Sequence, residues 1–268
     1  MRDYKSEMTY FLQDFYIERE LKPLPVTMPV SHYHSYYEIY YLTKGNVRYF
    51  IDNTTYDLSA GDIVLIPPNI IHKTSVIDDG SSERLLIWFT ADFLEKNEDD
   101  HIFDCFKKHH IKNVDAQKII LSSIETEHQN RDKFSKELIK TLLITLLINL
   151  SRLSADKSDE VKTPSFIQKI SNYIGENYAN EITLDNLSRE FSISKSHLSR
   201  LFKNTTGFGI NEYITIVRIK NAERLILSTK LPITEIATRC GFNDSNYFSS
   251  VFKKIKGMSP LKFKNDNK

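Results

Sequence analysis

The stretches LDNLSREFSISKSHLSRLFK (residues 184–203) and ITEIATRCGFNDSNYFSSVFK (residues 233–253) are two versions of one plan. Their second halves superimpose at an offset of fifty, with Leu198 on Phe248, Ser199 on Ser249, Leu201 on Val251, Phe202 on Phe252 and Lys203 on Lys253. Their first halves superimpose at forty-nine, so the second version carries one extra turn residue. Each opens on a short helix whose apolar residues recur at helical spacing: Leu184, Leu187 and Phe191 in one, Ile233, Ile236 and Ala237 in the other. A tight turn follows, with Gly241 supplying backbone freedom in the second version. An apolar plug comes next, Ile193 or Phe242, and then a side chain able to cap a helix, Ser194 or Asp244. The second helix buries Leu198, Leu201 and Phe202, or Phe248, Val251 and Phe252, and turns a small polar face outward. This is the sequence form of a helix-turn-helix, at residues 183–207 and 232–257. A single match of this kind is often an ordinary helical hairpin. Two, each with cap, plug and basic exit, make coincidence a poor explanation.

Between the two units, Asn211 to Leu227 is predicted to be one helix that holds them at a fixed distance. Upstream, residues 154–164 are polar and charged and end in Pro164, the composition of a linker. The charge changes sign across it. Residues 165–268 hold 16 Lys/Arg against 9 Asp/Glu, a net of +7. Residues 1–164 hold 20 against 26, a net of −6, so the overall +1 conceals a polar chain. A basic part joined to an acidic one suggests a polyanion partner for one half only.

Residues 165–263 resemble the DNA-binding domain of the AraC/XylS family of transcription regulators. The residues that carry the resemblance are Ile236-Ala237, Gly241-Phe242, Tyr247-Phe248-Ser249, Phe252-Lys253-Lys254, the run from Gly257 to Pro260, and Phe263. In that family, outward residues near the start of each recognition helix read bases. By position these are Ser196, Ser199 and Arg200 in the first unit and Ser245, Asn246 and Ser250 in the second. Arg200 is suited to guanine O6 and N7, and Asn246 to adenine, whereas serines read loosely. Ser250 stands where many members have arginine. Lys195, Lys203, Lys253 and Lys254 are assigned to phosphates, which position without specifying, with a solvated helix face as the alternative.

Residues 26–90 are rich in Tyr, Ile and Val, and turn signals at Lys44-Gly45, Asp52-Asn53, Ala60-Gly61-Asp62, Pro67-Pro68-Asn69 and Asp78-Asp79-Gly80 break them into short strands. A small sandwich or barrel is expected. Helices are predicted over Ala116–His128 and Ser135–Ser154. The latter is apolar around most of its circumference, so it must be buried, against its own domain or in part against a second subunit; the second is preferred because a small β domain has little spare surface. It is not expected to cross a membrane, since Lys140 and Arg152 bracket only eleven residues against the ~20 a span needs. Residues 1–14 contain no unbroken apolar run, so no signal peptide is expected. The two cysteines, Cys105 and Cys240, have no paired spacing, which argues against a disulfide framework and suits a reducing cytoplasm.

One constellation in this half carries chemistry. His32, His34, Glu38, Gly45 and, later, Pro67-Pro68-Asn69 and His72 resemble the metal motif of cupins, HxH(x)3–4E(x)6G with a later PxGxxH, with Asn69 in place of the glycine. In strand geometry His32, His34, Glu38 and Tyr40 would share one face. Three readings stand: a pocket for a small polar effector, satisfied structural histidines, or a metal held by His32, His34, Glu38 and His72. The first is preferred, with Tyr40, Arg48 and Trp88 as further pocket members and no cofactor.

The expected architecture is α+β and multidomain. A cupin-like β-barrel for effector sensing spans 1–110, a helical dimerisation region 111–153, the linker 154–164, and an all-α domain with two helix-turn-helix motifs joined by a long helix 165–268. The expected function is a cytoplasmic, homodimeric, effector-responsive activator of a metabolic operon. Its partners would be double-stranded DNA, a small effector such as a sugar, and RNA polymerase. A DNA-binding protein whose β domain only dimerises is the alternative. A metal-dependent cupin enzyme is the distant one, disfavoured because an enzyme has no need of a doubled helix-turn-helix.

Overall fold

The computed structural model describes residues 14–22, 33–77, 80–98, 100–155 and 165–266. His32 and residues 156–164 of the expected linker lie outside them. The chain forms two compact units.

The first unit contains eight strands: β1 (Phe15–Lys22), β2 (Tyr37–Lys44), β3 (Asn46–Ile51), β4 (Thr54–Ser59), β5 (Ile63–Ile66), β6 (His72–Val76), β7 (Ser82–Phe89) and β8 (His110–Ile111). They make a five-stranded sheet in the order β1-β7-β2-β5-β8 and a three-stranded sheet in the order β4-β3-β6. Among the described residues, no strand pairing joins the two sheets into one closed barrel. The expected cupin-like domain is therefore present as two facing sheets.

The five-stranded sheet is covered on both faces, so its central strand β2 is buried almost end to end. Alternation then sorts the side chains. Tyr37, Ile39 and Tyr41, with Ile63, Leu65, Leu85, Ile87 and Phe89, join one core. Tyr40 and Leu42, with Val64, Ile66 and Leu86, meet Val47, Tyr49, Ile51 and Leu58 from the other sheet in a second core. Gly45 makes the β2–β3 turn possible: its φ is +84°, and a Cβ there would stand 2.5 Å from the Ser81 carbonyl oxygen.

Two helices cover the outer face of the large sheet, α1 (Lys118–Asn130) and α2 (Ser135–Ala155). Ile139, Leu143, Leu146, Leu147 and Leu150 of α2 are buried in the same core as Ile39, Ile63 and Leu85. This corrects the expectation that the β domain lacks surface to cover the helix: the main apolar stripe of α2 is intramolecular core. Leu138 and Leu153 of α2, and Ile119 of α1, remain exposed. By length and mean hydropathy α2 could cross a membrane, but its buried stripe is committed to the sheet.

The second unit is helical: α3 (Phe166–Asn177), α4 (Leu184–Glu190), α5 (Lys195–Thr206), α6 (Ile210–Ser228), α7 (Ile233–Arg239), α8 (Ser245–Lys256) and α9 (Pro260–Asp266). Side-chain caps start four of them. Ser165 accepts from the Gln168 N–H, Thr183 from Asn186, Ser194 from His197 and Asp244 from Tyr247. Helix α6 is buried around its circumference, with Tyr213, Ile214, Ile216, Val217, Ile219 and Ala222 all below one-tenth exposure. It is the common core element of both helix-turn-helix units.

Candidate nucleic-acid interface and sensor interior

In α5, Leu198, Phe202 and Thr206 face inward. Ser196, Ser199, Arg200 and Lys203 are therefore left on the exposed face, at spacings of three and four. In α8, Phe248 and Phe252 face inward, and Asn246, Ser250, Lys253 and Lys254 are exposed, with Ser245 half-buried. The structure thus gathers the sequence-predicted residues onto one outward face in each unit. Arg200 has no hydrogen-bond or ion-pair partner among the described residues, so its guanidinium is available to a ligand. Lys195 pairs with Asp185 at the mouth of the turn. His197 and Tyr247 lie on the exposed surface of the recognition helices as well. Sequence reasoning did not assign them a contact; Tyr247, 58% exposed beside the buried Phe248, was legible as an aromatic at an outward helical position.

The two turns are built differently. At Gly241 φ is +79°, and an added Cβ would meet the Tyr178 carbonyl oxygen at 2.8 Å and the Ala179 carbonyl oxygen at 3.0 Å. Arg218 of α6 locks this corner, donating from Nε to Tyr178 O at 2.8 Å and from Nη2 to Asn180 O at 2.9 Å. Its guanidinium also lies 5.8 Å from the centre of the Phe242 plug. The equivalent position in the first unit is Ser192, which takes φ of +51° without being glycine. Across the second unit, Lys256 Nζ of α8 bonds Glu223 of α6 at 2.7 Å with both side chains nearly buried.

In the β domain, pairing places residues in rows on the inner face of the large sheet: Tyr16, Trp88 and Glu38, then Glu18, Leu86 and Tyr40, then Glu20, Arg84 and Leu42. Glu38 is wholly buried. Its Oε1 accepts from Tyr49 Oη at 2.8 Å, and its Oε2 accepts from Trp88 Nε1 at 2.8 Å. His34 Nε2 lies 3.1 Å and His72 Nε2 3.7 Å from the same Oε2. Burial, reinforced by the Glu38 charge, pushes the Tyr49 phenol well above its ordinary range. Burial likewise pushes Tyr40 up to about 12.

His34, Glu38, Tyr40, His72 and Trp88 thus converge, as the sequence suggested, but by a different route. Strand β2 begins only at Tyr37, so His34 enters from the loop before it rather than by strand alternation. Asn69, the residue in the glycine position of the cupin motif, adopts φ of +63° and donates its N–H to His34 O at 2.7 Å. Asparagine tolerates that conformation, so the departure from the motif is conservative in backbone terms. Arg48 is not brought into the cluster. It neighbours Tyr49 on β3, so alternation turns it to the opposite face, where it binds Asp57 at 2.7 and 2.9 Å.

Arg84 is the residue that sequence reasoning missed. It is 4% exposed, donates from Nη2 to Glu20 at 2.6 Å and stacks over Tyr40 at 5.4 Å. Its Nε and Nη1, and Thr74 Oγ1, are buried without a hydrogen-bond partner among the described residues. No motif marks it; only the register with Glu20 and Leu42 shows that it points inward.

Comparison with known proteins follows this division. Residues 26–147 match the "AraC-like ligand binding domain", and residues 187–266 match a "Helix-turn-helix domain". The chain belongs to the AraC/XylS family of transcription regulators. It is 28% identical to the Msm operon regulatory protein of Streptococcus mutans over 238 residues, 86% of this chain and 84% of that protein. It is 25% identical to the HTH-type transcriptional activator RhaR of Escherichia coli over 255 residues, 91% and 89% of the two chains. The crystal structure of ToxT from Vibrio cholerae aligns with 95% of this chain and 98% of its own, at 17% identity and a TM-score of 0.42. Its relatives are regulators, and this AraC-family chain is a DNA-binding transcription regulator, not an enzyme.

Proposed function

We propose that this AraC-family regulator is an effector-responsive activator. The observation that carries the reading is the pair of exposed polar faces on α5 and α8, fixed to one buried helix. Arg200 reads a guanine, Asn246 reads an adenine or holds a phosphate, Ser196, Ser199, Ser245 and Ser250 add loose base contacts, and Lys195, Lys203, Lys253 and Lys254 hold the backbone. The two recognition helices enter successive major grooves on one face of the duplex, ~34 Å apart. RNA polymerase is the partner through which activation is read out. The compartment is the cytoplasm.

The β domain, residues 1–110, takes a small polar effector between its sheets, close to Tyr40, Trp88 and His34. A sugar suits aromatic faces beside the Arg84 and Thr74 donors, since hydroxyls can both donate and accept. Residues 111–153 pair two copies of the chain. The support is what the fold leaves uncovered, a shallow groove between α1 and α2 lined by Ile119, Ser122, Thr126, Leu138 and Leu142. Residues 154–164 link this part to the DNA-binding domain, residues 165–268.

The test is selection of bound duplexes from random sequence by the full-length protein, with and without a panel of sugars and small acids. A split consensus whose affinity changes with one compound is expected. Recovery of only composition-biased, salt-sensitive sequences would overturn base reading; a consensus indifferent to every compound would favour a β domain that only dimerises. Within the consensus, Arg200→Ala is expected to lower specific affinity by about 1–3 kcal/mol while leaving non-specific binding nearly unchanged, as measured by competition titration. An equal loss on all sequences would reassign Arg200 to a phosphate.

A further inference from the structure

We infer that Tyr247 reads a thymine in the half-site under α8, through contact of its ring with the 5-methyl group. The inference rests on the proposal that α5 and α8 lie in major grooves. The Asp244 carboxylate caps α8 by accepting from the Tyr247 N–H at 2.6 Å, so Tyr247 stands in the first turn of the helix. A recognition helix offers its first turns to base edges. Asn246, Ser250 and Lys254 are exposed on the same side of α8. Ser250 follows Asn246 by four residues and Tyr247 by three, so it lies between them on the helix surface. A serine there is too short to cover the phenol ring, which remains 58% exposed.

The ring is exposed but not loose. It leans on the Phe242 plug, with ring centres 6.3 Å apart and planes inclined at 54°. Phe242 is buried, packs at 5.1 Å against Phe248, and is held from its other side by the Arg218 corner. A side chain positioned in advance loses less freedom on binding.

The base follows from the chemistry of the groove. A largely exposed phenol ring gains by meeting apolar surface. The edges of the base pairs present donors and acceptors in the major groove, and the thymine methyl is the apolar group among them. Lys253 and Lys254, exposed on the following turns, supply the attraction to phosphates that brings the ring there. The first unit is built the other way. At the offset of fifty, His197 stands in the place of Tyr247 and Arg200 in the place of Ser250. The two units therefore read by different chemistry, α5 by hydrogen bonds from Arg200 and α8 by apolar contact. With Asn246 suited to adenine, both readers of α8 favour A·T pairs.

The experiment uses the full-length protein and a duplex it selects from random sequence. The half-site whose preference survives Arg200→Ala is the one under α8. Each thymine in it is replaced in turn by deoxyuridine, which removes only the methyl group. At one position or more, affinity should fall about three- to fivefold, the worth of one buried methyl. That fall should vanish in Tyr247→Ala and persist in Tyr247→Phe, because the ring and not the hydroxyl makes the contact. Both variants should keep the circular dichroism and Tm of the wild type, since the side chain is exposed. Indifference to deoxyuridine at every position, a half-site without thymine, or a fall that survives Tyr247→Ala would overturn the inference. So would equal weakening of all duplexes by Tyr247→Phe, which would make the hydroxyl a phosphate contact. Failure to select any consensus would overturn base reading itself and this inference with it, a result distinct from indifference to deoxyuridine in a selected site.

Discussion

Gly241 and Ser192 occupy the same turn position in the two helix-turn-helix units, and both have positive φ. The position beside Gly241 is crowded by the Tyr178 and Ala179 carbonyls, so Gly241→Ala incurs a left-handed penalty and a clash. It should lower stability by about 2 kcal/mol or more. Ser192 is exposed and carries only the conformational penalty, so Ser192→Gly should raise stability, by about 0.5–1 kcal/mol. Urea unfolding of the two variants is expected to give midpoint shifts of opposite sign. At the same scale, Arg84→Ala removes the inward donors but leaves the DNA-binding residues intact. Operator affinity without effector should be kept and the effector response lost, read by fluorescence anisotropy; an unchanged response would remove Arg84 from the pocket. The contrast between Arg84 and Arg48 shows where sequence ran out. Both arginines sit in strands, and a shift of one residue in register decides which enters the interior. His34, Glu38 and His72, by contrast, were legible as residue types at the spacing of a known motif, although His34 lies in the loop before β2, Glu38 in β2 and His72 at the start of β6.

At the scale of elements, the helix-turn-helix units were readable almost to their ends. Their signals are local: Ser194 and Asp244 as caps, Ile193 and Phe242 as plugs, and Leu198 or Phe248 at helical spacing. Helix α2 was readable as a helix but not in its packing. Apolar residues on most of its faces do not say which stripe meets the sheet, and that is set by long-range packing in the core it shares with Ile39, Ile63 and Leu85. The distinction is testable. Leu147→Ala, at a wholly buried position, should cost about 2–5 kcal/mol in unfolding free energy. Leu138→Glu, at a 44% exposed position facing the α1–α2 groove, should leave stability of the fold within about 0.5 kcal/mol. If the groove pairs two copies, the same change should shift sedimentation from dimer to monomer; a dimer that persists would move the interface elsewhere.

For the whole molecule, the division of charge is the feature that composition alone would hide. The basic excess of residues 165–268 over the acidic remainder confines polyanion affinity to one part of the chain. Lys253 and Lys254 are exposed at the end of α8. Replacing either with alanine should weaken binding to all duplexes alike and flatten the dependence of log K on log salt by about one unit. Titrations at several salt concentrations would check this, and a loss confined to one sequence would make the lysine a base reader. The change of hydrophobic periodicity from two to 3.6 near residue 115 falls inside the first unit, because α1 and α2 share the core of its large sheet, so it marks a change of element and not the division between the two units.

Helix α6, the buried core shared by the two helix-turn-helix units, has a consequence for the promoters this protein serves. A rigid spacer cannot follow a change in the length of the DNA between its two reading heads. Each inserted base pair would turn one half-site by about a tenth of a helical revolution relative to the other. The regulon should therefore drift by substitution at its binding sites, with mismatches graded in cost, while single-base insertions and deletions between half-sites are purged. The internal spacing of the operator would be its most constant property.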